Sequence, residues 1–176
     1  QVNVPFTMHN IYQVINMVVQ TTGQRMDKAL LEAFDLICSF SAENSTAGEK
    51  WKTNANYMIN RKFIVPYMTD YDARYGILNE CMSLNYGGNV TRIEDVIKAL
   101  CYITGTNYDN ITDLRNFVYR NNLSYGTWYV WLFFRIKGFK KGTMHFEFLD
   151  EDVWIKFNQQ VAKQRGWVLP KKSKRK

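Results

Sequence analysis

The chain has 176 residues, 46% of them hydrophobic and 15% aromatic, which excludes a disordered chain and supplies a core for one domain. Its net charge of +7 favours an anionic partner, but five positive charges sit at the very end, on Lys171, Lys172, Lys174, Arg175 and Lys176, leaving about +2 for the remainder. The longest apolar run, residues 128–134, is too short to cross a bilayer as a helix, and no secretory signal is visible, so a cytoplasmic protein with no membrane partner is expected.

In chain order, residues 1–7 read as an extended lead-in containing Pro5. Ile11, Val14, Ile15, Val18 and Thr22 then mark one helical face, and the period resumes after Gly23 at Met26, Leu30, Ala33, Phe34, Ile37 and Cys38. Glycine costs about 1 kcal/mol in a helix interior without forbidding it, so the arm over residues 1–41 is either one long helix with a weak point at Gly23 or, the favoured reading, two helical segments nearly in line. Such an arm suits packing on a sheet, pairing with a second copy, or connection to another domain. Residues 41–50 are small and polar and predict a mobile loop or linker. Residues 62–65 predict a short strand ended by Pro66, residues 67–75 interleave tyrosines with Asp70, Asp72 and Arg74, and residues 77–84 predict a helix. Gly87-Gly88 followed by Thr91-x-x-Glu94 predicts a turn and a capping box. Ile93, Val96, Ile97, Leu100 and Ile103 form that helix's apolar stripe, and Gly105 ends it. A further helix is predicted from near Asn110, with Ile111, Leu114, Phe117 and Val118 inward and Asn121-Asn122 at its end.

Residues 128–137 alternate with period two, predicting one strand with Trp128, Val130, Leu132, Phe134 and Ile136 on one face and Tyr129, Trp131, Phe133, Arg135 and Lys137 on the other. Gly138 and Gly142 bracket a hairpin turn, and residues 143–148 predict the return strand, with Met144, Phe146 and Phe148 toward the apolar side. Asp150 is the expected N-cap of a final helix, Val153, Trp154, Phe157 and Val161 its buried stripe, and Gly166 its C′ residue. The predicted class is α+β and helix-rich: a small, mainly antiparallel sheet with a C-terminal β-hairpin, a helix packed on it, and a long N-terminal helical segment. One domain is expected over residues 1–170, with residues 171–176 as a basic tail. The chain begins at Gln1 rather than Met and is expected to belong to something longer.

The hairpin carries an R-x-x-x-F-K-x-G-x-x-H-x-x-F pattern from Arg135 to Phe148, then an acidic helix start and the pair Phe157-Asn158. Together with Lys52-Thr53-Asn54 and the run Arg61-Lys62-Phe63-Ile64-Val65-Pro66, it resembles the domain-of-unknown-function family numbered 4942 over roughly residues 27–170. The family carries Asn-Gly-Asn at the turn, where this chain has Lys141-Gly142-Thr143. The resemblance implies a domain of phage and mobile-element proteins, often fused to N6-adenine DNA methyltransferase domains, with no agreed catalytic residues.

The residues themselves name no reaction. An amino-methyltransferase needs a glycine-rich cofactor turn and a D/N-P-P-Y/F loop, and Asn85-Tyr86-Gly87-Gly88 lacks both prolines, so no cofactor is expected and S-adenosylmethionine should not bind. A metal-dependent nuclease would draw on Glu94, Asp95 and Lys98, on Asp70, Asp72 and Glu80, or on Glu147, Asp150, Glu151 and Asp152, but most of these read as a solvated helix face or as helix-start residues. Cys38, Cys81 and Cys101 are scattered in apolar contexts and predict buried, reduced thiols rather than disulfides or a zinc site. His145 predicts a histidine that ties the sheet to a neighbouring element by a hydrogen bond, with no serine or cysteine placed as its nucleophile. With no reaction named by the residues, the resemblance implies a non-catalytic accessory domain for DNA modification or DNA handling that binds DNA phosphates weakly or docks a methyltransferase. Arg135, Lys137, Lys140, Lys141 and the five tail cations are the candidate contacts, and His145 is a possible functional residue of the hairpin. Tyr129, Trp131 and Phe133 would stack bases if exposed, but the plainer reading covers them with helices. A protein-docking module without nucleic-acid affinity and a cryptic metal-dependent nuclease are the alternatives.

Overall fold

A computed structural model describes residues 7–46, 58–71 and 81–169. Helix α1 runs from Met8 to Phe40 without interruption, about 50 Å at 1.5 Å per residue. The predicted division at Gly23 does not occur. A Cβ there would meet nothing, so the residue serves no packing purpose, and the helix absorbs its propensity cost through cooperativity over 33 residues. Thr7 caps the start by accepting the Asn10 N–H at 3.3 Å. Leu30, Ala33, Phe34 and Ile37 are buried, whereas Met8, Tyr12, Val14, Ile15, Met17, Val18 and Val19 are exposed. Only the second half of α1 joins the core.

A 3₁₀ turn (Ala42–Asn44) and strand β1 (Ser45–Thr46), paired with β2 (Met58–Ile59), follow. The expected linker is thus ordered at its start. Its anchor is Asn44, fully buried, whose amide donates to the carbonyls of Ile37 (3.0 Å) and Ile64 (2.7 Å) and whose Oδ1 accepts the Ile64 N–H (2.7 Å). Strand β3 (Lys62–Val65) lies where predicted. Strands β4 (Thr69–Asp70) and β5 (Ser83–Leu84) pair antiparallel, so the predicted helix is a strand at residues 83–84, while residues 77–80 lie outside the described residues.

Helix α2 (Gly88–Thr104) starts three residues before the proposed capping box. Asn85 accepts the Gly87 N–H at 2.6 Å and Asn89 donates to the Pro66 carbonyl at 2.8 Å, which sets the helix entry; Thr91 and Glu94 lie inside the helix. A 3₁₀ turn (Tyr108–Asn110) stands where the next helix was expected, and α3 (Leu114–Arg120) starts later, because Asp113 supplies the cap by accepting the Asn116 N–H at 2.9 Å.

The predicted strand over residues 128–137 is two strands. β6 (Tyr129–Trp131) turns at Leu132-Phe133 into β7 (Phe134–Gly138), with Leu132 in the left-handed region at φ 50°. Pairing Trp131 with Phe134 puts both side chains on one face. The reversal therefore moves Trp131 to the core side, 2% exposed, with its indole N–H donating to the Thr112 carbonyl at 3.0 Å, and leaves Val130 outside. β8 (Met144–Phe148) pairs with β7 with its apolar residues on the predicted side, Phe134 opposite Phe148 and Ile136 opposite Phe146, and β3 adds to its other edge. The antiparallel order is β3-β8-β7-β6.

Gly142 has φ 94°, as its turn requires, but Gly138 does not turn the chain. It is buried in β7, and a Cβ there would collide with the Met82 sulfur and touch Thr69 Cγ2 at 3.0 Å. Overpacking a core costs about 1–3 kcal/mol, so Gly138→Ala should lower stability by that amount in chemical denaturation.

Helix α4 (Glu151–Arg165) has the predicted ends: Asp150 accepts the Asp152 N–H at 2.7 Å and Gly166 is left-handed at φ 66°. Phe157 is buried, with its ring 6.4 Å from both Phe148 and Phe34. Trp154 is half-buried against the core, and its indole N–H bonds to the Ile59 carbonyl at 2.9 Å, which also ties α4 to β2. Asn158, also buried, accepts the Ile59 N–H at 2.9 Å. The motif's Phe157-Asn158 pair thus divides between core and backbone anchor. Burial alternates along β3, β7 and β8: one face is buried, with α1 against β3, α4 against β8 and α2 packed on both helices, and among the described residues the other face has exposed or half-buried side chains.

Candidate functional site

The uncovered sheet face follows from the register. One rung reads Val130, Arg135, Glu147, Lys62 across β6, β7, β8 and β3; the next reads Lys137, His145, Ile64. Trp128, just before β6, lies over this face with the Arg135 guanidinium 4.9 Å from its ring centroid and the ammonium groups of Lys62 and Lys137 at 5.3 and 5.8 Å. Phe139, at the turn, packs on the His145 ring at 4.6 Å and has Lys137 and Lys141 at 5.3 and 5.9 Å. Cation–π contacts of this kind hold long basic side chains over aromatic rings.

The charges on the face are unbalanced. Arg135 donates through Nε (3.0 Å) and Nη2 (2.8 Å) to one oxygen of Glu147 and so is neutralised. Lys62, Lys137 and Lys141 form no ion pair among the described residues. Burial pushes the His145 imidazole below its ordinary value, and Lys62, Lys141 and Lys137 push it further. Its Nδ1 and the Thr143 hydroxyl are both buried without a hydrogen-bond partner. The expected hydrogen bond from His145 to a neighbouring element is therefore missing at Nδ1; the ring is held by Phe139 instead. Because the folded value lies below the unfolded one, His145 favours folding above the ordinary value near 6.5 and loses that contribution as pH falls toward the depressed one. An NMR titration should place the His145 midpoint below about 6.5, and bound polyphosphate, by offsetting the lysines, should raise it.

Four sequence-predicted residues, Arg135, Lys137, Lys141 and His145, come together here. Lys140, from the same turn, lies elsewhere, its ammonium 4.6 Å from the Tyr71 centroid. Lys171, Lys172, Lys174, Arg175 and Lys176 lie outside the described residues. Lys62, Trp128, Phe139 and Thr143 were not among the predicted site residues. Nothing local marks them: Lys62 reaches the face only through the β3–β8 pairing, and Trp128 changes sides because the strand folds back at Leu132.

Among the described residues the acidic groupings do not converge on a metal centre. Asp95 holds Lys98 at 2.9 Å, Glu147 holds Arg135, and Asp150 is a helix cap. Asp72 and Glu80 lie outside the described residues, and among those described no three His, Cys, Asp or Glu side chains converge as metal ligands. Of the thiols, Cys101 is buried, Cys38 is half-buried and Cys81 is exposed, so burial holds for one in full. Burial pushes the Cys38 thiol up to about 11, which leaves it unreactive at neutral pH. No described helix is long and apolar enough to cross a membrane.

The match to the family described as Domain of unknown function (DUF4942) spans residues 1–167. The chain belongs to this family. No curated protein and no solved structure matches it. The DUF4942 match reaches back beyond residue 27 to include all of α1. In this DUF4942 chain the hairpin pattern has two jobs: Phe148 builds the core and Gly142 the turn, whereas Arg135, Phe139 and His145 form the uncovered face.

Proposed function

We propose that this DUF4942 domain is a non-catalytic accessory module that binds nucleic acid through the uncovered face of its sheet and so assists DNA modification or DNA handling. The observation that carries the reading is the cluster of Lys62, Lys137 and Lys141, which have no acidic partner among the described residues and surround two aromatic rings. Holding like charges together is unfavourable unless an anion arrives. Phosphates supply that anion without base reading, so affinity should be modest, sequence-tolerant and steeply salt-dependent. The setting that fits this reading is a phage or mobile-element protein with an N6-adenine methyltransferase domain or partner nearby. The test is a salt titration of binding to two unrelated duplexes. Each phosphate contact should steepen the log–log slope by about 0.9, equally for both sequences. A flat salt dependence would reject the reading.

A second reading, docking of a protein, draws on the first half of α1, where seven large apolar side chains from Met8 to Val19 are exposed. Binding that is unchanged by salt but lost on Val18→Glu would favour it.

A further inference from the structure

We propose that the outward sheet face takes single-stranded nucleic acid, with unpaired bases stacked on Trp128 and Phe139 and a phosphate seated on Lys137. This rests on the nucleic-acid reading above and narrows it. Bases inside a duplex already cover one another's faces, and a protein ring reaches them only when the strand is open. Here the Lys137 ammonium links the two rings, standing 5.8 Å from the centroid of Trp128 and 5.3 Å from that of Phe139. A cation between two stacking surfaces is the arrangement that a base–phosphate–base segment requires. Lys62 and Lys141 add positive potential around it, and the His145 ring beneath feels all three lysines. Ring faces read no base identity, so recognition should be tolerant of sequence.

The test compares oligodeoxythymidylate, oligouridylate and a mixed-sequence duplex of equal length at one salt concentration, by fluorescence anisotropy. Tighter binding of either single strand than of the duplex is expected. Trp128→Ala should weaken single-strand binding by about tenfold and duplex binding much less, since base stacking on an aromatic ring contributes about 1–3 kcal/mol per base. Equal losses on both ligands, or none, would overturn the stacking proposal while leaving phosphate binding intact if the salt slope persists. Absence of binding to every ligand would overturn both. Should Trp128→Ala fail to fold, ultraviolet cross-linking of the unaltered chain to a bromouracil-bearing oligonucleotide decides: adducts at Trp128 or Phe139 support the proposal, and adducts confined to other peptides overturn it.

Discussion

Phe157→Ala should be the most damaging single truncation in the described core, costing about 3–5 kcal/mol, as loss of a fully buried phenylalanine does. The ring stands where the layers meet. Phe63, Phe134, Phe146 and Phe148 form one cluster on the sheet, with neighbouring centroids 4.7–6.1 Å apart. Phe157 joins that cluster to Phe34 of α1, so its removal opens a cavity touching sheet and two helices at once. Neither side closes readily, because α1 and α4 are also pinned by Arg165–Asp35 and by Asn158 on the β2 backbone. Trp154→Ala should cost less, since Trp154 is half-buried and contributes mainly one hydrogen bond and edge packing. Urea denaturation of both variants checks the order; a larger loss for Trp154→Ala would contradict this account of how α4 is held.

The second large effect concerns binding. Replacing Lys62, Lys137 and Lys141 together by alanine should lower nucleic-acid affinity on the order of a hundredfold near physiological salt, through the loss of charge-assisted phosphate contacts. The salt slope should fall by about 2–3. The fold should survive, because these side chains project from the uncovered face and their mutual repulsion disappears with them; the melting free energy should stay within about 0.5 kcal/mol. His145 supplies an internal control. Without the three lysines its titration should move back toward the ordinary histidine range. Unchanged affinity in a folded variant, with His145 shifted as expected, would remove the lysine cluster from the binding function.

Much of the architecture was legible in the sequence because local patterns and tertiary needs agree. The β3 segment, the return strand from Met144 to Phe148, the Asp150 cap and the Gly166 terminus stand where alternation and capping chemistry put them. The failures have specific causes. Leu132-Phe133 makes a tight turn with no glycine, asparagine or proline to announce it, so the alternation ran straight through. That one reversal exchanged the faces of Trp128 and Trp131, placing the first over the lysines and the second in the core. The start of α2 depends on Asn89 reaching the Pro66 carbonyl, a contact across 23 residues that no capping box encodes. The candidate site was half visible for the same reason: Arg135, Lys137, Lys141 and His145 are neighbours along one hairpin, whereas Lys62 joins them by strand pairing alone.

Backbone amide chemical-shift mapping with a short oligothymidylate tests the central claim most directly. The account predicts that the largest shifts fall on Lys62, Trp128, Lys137, Phe139, Lys141, Thr143 and His145, with residues 8–22 of α1 unmoved. Shifts concentrated on α1, with the sheet face silent, would contradict it.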